Sequence, residues 1–290
     1  MKTEVNVVAF LALFTSGVCA YKNELDYSFP SGPEVVTSPQ PKFTKDTPTS
    51  VDYRSDGLLT TDLNQHIPVY CGSCWAHSAM SSLGDRLKIM NKGKGRDIIP
   101  SVQALINCGH AGSCNGGNPG AANREVYRMG VPDVTCQQYQ AKNMECSAIN
   151  TCMNCDHDTN ECSPVKTYPI IRVSEFGTVH GDENIMAEIA SRGPVSVAIN
   201  ANCIEDYTGG IIYYGQDTDC KTGSLHNNHA VQLNGYGTDE DGVEFWIGRN
   251  SWGTYWGEEG FFRIARSTWS PGEANWAVPY MDYFNGTETR

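Results

Sequence analysis

The sequence lacks a long apolar run, an excess of positive charge and an internal repeat. After the first twenty residues, no stretch approaches the roughly 18 apolar residues that a membrane-spanning helix needs, so we expect no transmembrane segment. The 290-residue chain carries a formal net charge of −12, which argues against a nucleic-acid-binding surface. Hydrophobic residues make up 40% of the chain, an ordinary share for a globular protein rather than a disordered one.

The first twenty residues have the pattern of a secretory signal peptide. Lys2 precedes an unbroken apolar run from Val7 to Phe14, and the small-residue end Val18-Cys19-Ala20 suits cleavage. The alternative is a helix at the start of the mature chain. We predict a signal peptide over residues 1–20 and passage through the secretory pathway, to the lysosome or out of the cell.

Residues 21–50 are rich in Pro, Ser, Thr and Lys and show no sustained periodicity. This composition predicts a short propeptide over 21–48, followed by a single domain over 49–290. A disordered arm without a function is the alternative.

The sequence has twelve cysteines, and their number bears on disulfide pairing and on a free thiol. Cys19 should leave with the signal peptide, and an oxidising route pairs most of the others. Eleven is odd, so one thiol is left over as a candidate reactive group. Five cysteines fall within residues 136–162, here called the cysteine-rich segment, which is polar and must be held by cross-links. A zinc knuckle of Cys152, Cys155 and His157 is the rival interpretation, but the signal peptide favours disulfides.

Hydrophobic periodicity predicts helices first and strands later. Apolar residues recur at spacings of three and four from Cys74 up to the turn at 91–95, and Ser101 could cap a second helix over 101–108. The last third holds short apolar or alternating runs typical of antiparallel strands: 194–199, 229–237, 243–251 and 260–266. We therefore predict an α+β chain of two lobes, helical over roughly 70–165 and β over roughly 166–270, with a substrate cleft between them.

The stretch "CGSCW" allows two kinds of chemistry for Cys71 and Cys74. A redox Cys-x-x-Cys pair is one, although the βαβ context expected for it is missing. The other is a nucleophilic Cys74, since the odd thiol count requires a free cysteine. Cys74 also opens a predicted helix, whose positive end favours the thiolate. We favour the nucleophile.

A nucleophilic thiol needs a base, and the base needs a group that orients it. His229 leads directly into a predicted strand, which would fix its backbone. Asn250 ends the next strand and could hold the imidazole in one tautomer, while Trp252 could cover that hydrogen bond from water.

Four stretches together resemble the papain family of cysteine peptidases: "CGSCWAH", "SCNGG", "NNHAVQLNGYG" and "RNSWGTYWGEEGFFRI". The resemblance extends from about Val51 to Arg266. It implies a papain-like two-lobed α+β fold, with a helical N-terminal lobe, an antiparallel β-barrel-like C-terminal lobe and the active site between them.

The resemblance also implies a role for each matching residue. Cys74 would attack the scissile carbonyl, His229 would protonate the leaving amine, and Asn250 would orient His229. Gln65 would donate to the oxyanion together with the backbone N–H of Cys74. Further expectations concern substrate contacts at Gly116, Gly117 and Trp252, and a disulfide between Cys71 and Cys114.

Within the family, the chain looks most like a cathepsin that acts as a carboxypeptidase, because extra residues around His66-Ile67-Pro68 separate Gln65 from Cys71. We call residues 66–70 the inserted loop. A stiff loop there would wall off the primed side of the cleft, and His66 could bind a substrate's C-terminal carboxylate. The cathepsin it resembles has a propeptide cysteine that caps the active-site thiol, whereas residues 21–50 here have none.

The sequence therefore predicts a cysteine-type exopeptidase that removes single C-terminal residues. The alternatives are an endopeptidase of broad specificity and a catalytically silent binding protein of the same fold. We expect peptide or protein substrates, cystatin-like inhibitors as partners, a monomer, and no cofactor or metal.

Ten of the eleven remaining cysteines should form five disulfides. Cys108 is expected in one of them, and Cys203 and Cys220 are expected to pair with each other because no cysteine follows Cys220. The connectivity within the cysteine-rich segment stays open. Asn285, in "NGT", is a predicted glycosylation site.

Overall fold

The computed structural model describes residues 22–214 and 226–280. In that part of the chain there are four α-helices: α1 Cys74–Met90, α2 Val102–Cys108, α3 Pro119–Met129 and α4 Asp182–Arg192. The strands are β1 Val51–Asp52, β2 Gly112–Ser113, β3 Gly116–Gly117, β4 Met153–Cys155, β5 Cys162–Pro164, β6 Val173–His180, β7 Val195–Ile199, β8 Ile211–Ile212, β9 His229–Thr238, β10 Glu244–Arg249, β11 Phe261–Ala265 and β12 Glu273–Pro279. The predicted signal peptide, Cys220 and Asn285 lie outside the described residues.

Helix α1 confirms the predicted helix that begins at Cys74. Its periodic apolar residues are almost fully buried: Ala76, Met80, Leu83 and Leu87. Gly84 would weaken an exposed helix, but a Cβ there would lie only 3.0 Å from the Ile98 carbonyl oxygen. The glycine therefore lets the following chain pass close to the helix.

Helix α2 also confirms its prediction, with Ser101 accepting a hydrogen bond from the Ala104 N–H at 3.1 Å. Helices α3 and α4 were not predicted. Helix α3 begins with an Asn118 cap and Pro119 at its first turn, and it ends at Gly130, which has a φ of 68°. Buried polar side chains, such as Asn123 and Glu125, interrupt its apolar face.

The four predicted strands are β7, β9, β10 and β11, and they lie within one sheet. The sheet has the order β6-β12-β7-β9-β10-β11-β8, and β1 pairs with β9. Its pairs are antiparallel except β8 with β11. In the described residues the path is open, so the β lobe does not form a closed barrel. The sheet also includes β12, which extends beyond the predicted limit of 270.

Two hydrophobic cores confirm the α+β class. One forms around α1 and includes Trp75, Leu83, Leu105 and Val126. The other lies on the sheet and includes Ile189, Leu233, Trp246 and Phe262. Helix α1 packs against β9 between the cores, which places its first residue beside the first residue of that strand. No helix in the described residues combines the length and hydropathy needed to cross a membrane.

Residues 22–48, here called the N-terminal segment, lie along the body of the protein. Val35 pairs with Phe176, and Glu175 accepts hydrogen bonds from the backbone N–H groups of Thr37 and Ser38 at 2.8 and 2.9 Å. Tyr236 donates to the Pro48 carbonyl oxygen at 2.9 Å. These contacts are those of an ordered extended segment, not of a disordered arm.

Disulfides hold the cysteine-rich segment. The pairs are Cys136–Cys152 and Cys155–Cys162 within it, and Cys108–Cys146 tying it to the end of α2. Both thiols of the alternative zinc knuckle are therefore oxidised. Cys203 is also disulfide-bonded.

Candidate active site

Cys74 is the free cysteine of the described residues and is fully buried. Its neighbour Cys71 is bonded to Cys114, so these two cysteines do not form a redox pair with each other. Cys74 is the first residue of α1, where unpaired backbone N–H groups and the helix dipole favour a negative charge.

His229 and Asn250 come from adjacent strands, the first opening β9 and the second following β10. His229 Nε2 lies 2.8 Å from Asn250 Oδ1. That oxygen also accepts from the Ser251 N–H at 2.8 Å, which fixes the orientation of the amide. The indole of Trp252 lies over the imidazole, with ring centroids 5.0 Å apart, and covers this hydrogen bond.

Gln65 is fully buried. Ser251 donates to its Oε1 at 2.6 Å, which directs Nε2 toward the reacting centre. Nε2 donates to the Cys71 carbonyl oxygen at 3.1 Å and to the Glu24 carboxylate at 2.9 Å. The amide thus already holds a negatively charged oxygen beside the nucleophile.

The N-terminal segment passes through the cleft at residues 23–26. Asp26 N–H donates to the Gly117 carbonyl oxygen at 2.9 Å, and Gly117 N–H donates to the Glu24 carbonyl oxygen at 3.1 Å. A Cβ on Gly116 would lie 3.0 Å from that same Glu24 oxygen. The two glycines, predicted as a substrate-binding backbone, here accept the protein's own chain as an added strand.

The carboxylate of Glu24 lies at the centre of the site and is 1% exposed. Glu24 Oε2 is 3.1 Å from His229 Nδ1, and Tyr70 donates its hydroxyl proton to Oε1 at 2.7 Å. Both ring nitrogens of His229 therefore have an oxygen partner, Asn250 Oδ1 at Nε2 and the Glu24 carboxylate at Nδ1.

The surroundings shift the pKa of Glu24 and the pKa of Cys74 in opposite directions. Burial by itself would raise the pKa of Glu24, but hydrogen bonds and the charge of His229, with Tyr70 and Gln65, lower it from 4.5 to about 2. Burial, reinforced by the Glu24 charge, raises the pKa of the Cys74 thiol well above its usual range. In this state the site holds a neutral thiol beside an ionised carboxylate.

The inserted loop reaches the reacting centre through Tyr70, and its residues Ile67 and Val69 are 59% and 56% exposed. The ring of His66 stacks on Tyr70, with centroids 4.8 Å apart, and lies 6.5 Å from the ring of Trp252. Burial lowers the pKa of His66, while the charge of Glu24 opposes that effect. His66 therefore gains its positive charge only in acid.

Three residues of the site were missed from the sequence: Glu24, Tyr70 and Tyr139. Tyr70 could have been found, since it belongs to the inserted loop and directly precedes Cys71. Glu24 lies in a segment with no periodicity, and nothing near it in the sequence marks it as a ligand of His229. Tyr139 lies in the cysteine-rich segment, and its hydroxyl donates to the Gln65 carbonyl oxygen at 2.8 Å.

Two groups in the described residues bring potential metal-ligand atoms within 4.8 Å of one another. One is Glu24, Cys74 and His229, whose charged members are already paired with each other. The other is the exposed set Asp156, His157 and Asp158.

Comparison with known proteins agrees with this geometry. The family model described as "Papain family cysteine protease" matches residues 47–278. The chain is 42% identical over 227 residues to Cathepsin Z of Onchocerca volvulus, a match that covers 77% of this chain and 71% of that protein. It is 33% identical over 234 residues to a cathepsin L-like protein of Caenorhabditis elegans, covering 78% of this chain and 61% of that one.

Solved structures show the same fold. Procathepsin L2 from the larval midgut of Tenebrio molitor aligns with a TM-score of 0.63 at 31% identity, over 80% of this chain and 68% of that one. The bromelain protease of Ananas comosus in complex with E64 aligns with a TM-score of 0.61 at 28% identity, over 80% of this chain and 99% of that one.

Proposed function

This chain belongs to the papain family of cysteine proteases, and from that premise we propose that it is a carboxypeptidase that removes single C-terminal residues from peptides and proteins. The observation that carries the proposal is the inserted loop. Its Tyr70 donates a hydrogen bond at 2.7 Å to the carboxylate of Glu24, which lies beside His229.

The chemistry follows from four residues. With Glu24 withdrawn, the Cys74 thiol gives its proton to His229, and the thiolate, paired with the resulting imidazolium, attacks the scissile carbonyl carbon. Gln65 Nε2 and the backbone N–H of Cys74 stabilise the oxyanion. His229 gives its Nδ1 proton to the leaving amine, and Asn250 keeps the ring in place through Nε2. Water then hydrolyses the acyl-enzyme and restores the thiol.

Specificity would arise where the departing residue lies. The inserted loop leaves little room for a chain that continues past that residue. A free carboxylate there can accept hydrogen bonds from Tyr70 and His66, and protonation of His66 in acid strengthens its bond. The similarity to Cathepsin Z supports this assignment, whereas the cathepsin L-like relative represents the endopeptidase alternative.

Matched peptides test the proposal. Amidation of the substrate C-terminus, or the substitution His66→Ala, should lower kcat/KM by about 10- to 100-fold, as expected for the loss of a charge-assisted hydrogen bond. His157→Ala is the control, since that side chain is 88% exposed. Equal cleavage of amidated and free-acid peptides, or products cut at internal bonds, would instead establish the endopeptidase.

The N-terminal segment keeps the enzyme latent in this proposal, with residues 21–48 as the propeptide and 49–290 as the peptidase. Glu24 replaces the thiolate as the partner of His229, and residues 23–26 fill the strand position beside Gly117. This arrangement needs no propeptide cysteine. Latency therefore depends on a reversible ion pair rather than on a covalent cap.

Peptide or protein substrates follow from the family, and the remaining partners are part of the proposal. A cleft that accepts an added strand is suited to cystatin-like inhibitors, and we propose a monomer. The disulfides fit an oxidising route, so the protein is assigned to the secretory pathway, with the lysosome or the extracellular space as its destination.

A further inference from the structure

The hydroxyl group of Tyr139 connects two parts of the chain that flank the reacting centre. It lies 2.8 Å from the Gln65 carbonyl oxygen and 2.6 Å from Ser73 Oγ. Gln65 carries the side-chain donor proposed for the oxyanion, and Ser73 directly precedes Cys74, which carries the backbone donor. A single hydroxyl thus ties both halves of the oxyanion site together.

The Ser73 hydroxyl bonds to Tyr139 and does not cap the helix that it precedes. It is the N-cap of α1, where a serine oxygen ordinarily accepts from a backbone N–H of the first turn, yet its side chain makes no such bond. Ser101 does make that bond in α2. A local rule that is broken beside a nucleophile indicates a function for the group that breaks it.

The donor and the acceptor can be assigned in each hydrogen bond of the Tyr139 hydroxyl. The Gln65 carbonyl can only accept, so Tyr139 donates to it, and Ser73 Oγ–H donates to the tyrosine oxygen. Burial raises the pKa of Tyr139, which keeps its proton in place. The edge of the buried His77 ring meets Tyr139 with centroids 4.8 Å apart, and His77 Nδ1 lies 3.1 Å from the Ser73 carbonyl oxygen. Burial lowers the pKa of His77 to about 4, so this histidine is neutral and donates there.

We propose that Tyr139 is a positioning residue that fixes the separation between the two oxyanion donors, Gln65 Nε2 and the backbone N–H of Cys74. Such donors act only within a few tenths of an ångström of their ideal distance from the oxyanion. The proposal rests on the oxyanion role proposed for Gln65. It also gives the cysteine-rich segment a function: Cys136–Cys152 and Cys108–Cys146 hold the chain that carries Tyr139 against the cleft.

The test is Tyr139→Phe in the full-length chain after activation, with two readouts. Hydrolysis of a peptide substrate should show kcat lowered by about 10- to 100-fold with KM within twofold, because only the transition state carries the oxyanion. Alkylation of Cys74 by iodoacetamide should stay within twofold, since the thiolate displaces iodide without forming an oxyanion. Tyr127→Phe, which removes the same atom on α3, is the control and should change neither rate.

The variant Gln65→Ala separates the positioning role of Tyr139 from the oxyanion role proposed for Gln65. If Tyr139 acts through Gln65, then Tyr139→Phe should lower kcat no further in a Gln65→Ala background. A normal kcat for Tyr139→Phe, with a reduced one for Gln65→Ala, would overturn the positioning role alone. A normal kcat for Gln65→Ala would overturn both roles. Equal losses of hydrolysis and alkylation in Tyr139→Phe would show that the tyrosine merely supports α1.

Discussion

Glu24 changes the state of the catalytic residues without any covalent bond. Its carboxylate takes hydrogen bonds from His229, Gln65 and Tyr70, and these three residues would all face substrate in the open enzyme. Burial and the nearby Glu24 charge raise the pKa of the Cys74 thiol and keep it neutral. We propose that this one residue, in place of a propeptide cysteine, keeps the enzyme latent.

The substitution Glu24→Gln should expose the nucleophile. It keeps the shape of the side chain but removes the charge that pairs with His229, so we expect alkylation of Cys74 by iodoacetamide at pH 6 to be about 10- to 100-fold faster in the full-length chain. Asp26→Asn is the matched control, since Asp26 is a nearby acid whose carboxylate accepts hydrogen bonds from Ser28. Equal rates for both variants and the native chain would contradict the ion-pair mechanism.

The pH dependence of this contact follows from the lowered pKa of Glu24. A carboxyl group whose pKa is depressed on folding stabilises the folded state fully above its ordinary value of 4.5. That contribution is lost as the pH falls from 4.5 to about 2. The stability difference between the native chain and Glu24→Gln, up to about 3 kcal/mol, should be present at pH 5 and shrink as the pH falls below 4.5. Thermal unfolding across this range measures it, and a difference that vanishes by pH 5 would refute the assignment.

At the scale of elements, the serines at the starts of α1 and α2 make different hydrogen bonds. Ser101 Oγ accepts from the Ala104 N–H and donates to the Gln137 carbonyl oxygen at 2.7 Å. It therefore starts α2 and also fixes the beginning of the cysteine-rich segment. Ser73, at the corresponding place in α1, makes its hydrogen bond to Tyr139 instead.

Ser101→Ala should lower the free energy of unfolding by about 2 kcal/mol, since it removes a cap and leaves the Gln137 carbonyl unpaired in the interior. Ser101→Thr retains both bonds and should recover most of the loss. Urea denaturation of the full-length chain gives the comparison. If the alanine variant is within 0.5 kcal/mol of the native chain, neither bond contributes to stability as described.

For the whole molecule, two buried ion pairs on consecutive residues of α1 join that helix to strand β10 and to helix α4. Arg249 donates to Asp85 at 2.6 Å, and Arg86 donates to Glu188 at 2.9 Å. Asp85 also accepts from the Thr60 N–H at 2.7 Å, in the stretch of chain that leads to Gln65. Cys74 begins α1 and His229 begins β9, on either side of the cleft. These ion pairs therefore help to fix the distance between the two residues.

Arg249→Met should destabilise the protein by about 3–5 kcal/mol, because it leaves the fully buried Asp85 without its partner. Adding Asp85→Asn should recover part of the loss. Arg96→Met is the control, since that pair with Asp133 is 3.9 Å long and the arginine is 68% exposed, so its removal should cost under about 1 kcal/mol. Urea midpoints compare the three variants, and equal losses at Arg249 and Arg96 would contradict the role of burial.

The sequence by itself determined the parts of this protein that are encoded locally. A three- and four-residue apolar period predicts α1, Ser101 predicts the start of α2, and alternation predicts β7, β9, β10 and β11. The family follows from four short motifs, and the odd number of cysteines singles out a free thiol. Helix α3 could have been found from its Asn118 cap and Pro119, but its apolar period is too weak because polar side chains are buried on its inner face.

Only the tertiary structure decided which distant side chains meet. Glu24 contacts His229 across 205 positions, and Tyr139 reaches Gln65 across 74. The disulfide partners within the cysteine-rich segment and the pairing of β12 with β6 are contacts of the same kind. Local patterns carry no information about them, since each depends on how two lobes and a surface segment pack together. The fold is shared with the family, whereas the Glu24 carboxylate reaches His229 through the way the N-terminal segment of this chain packs.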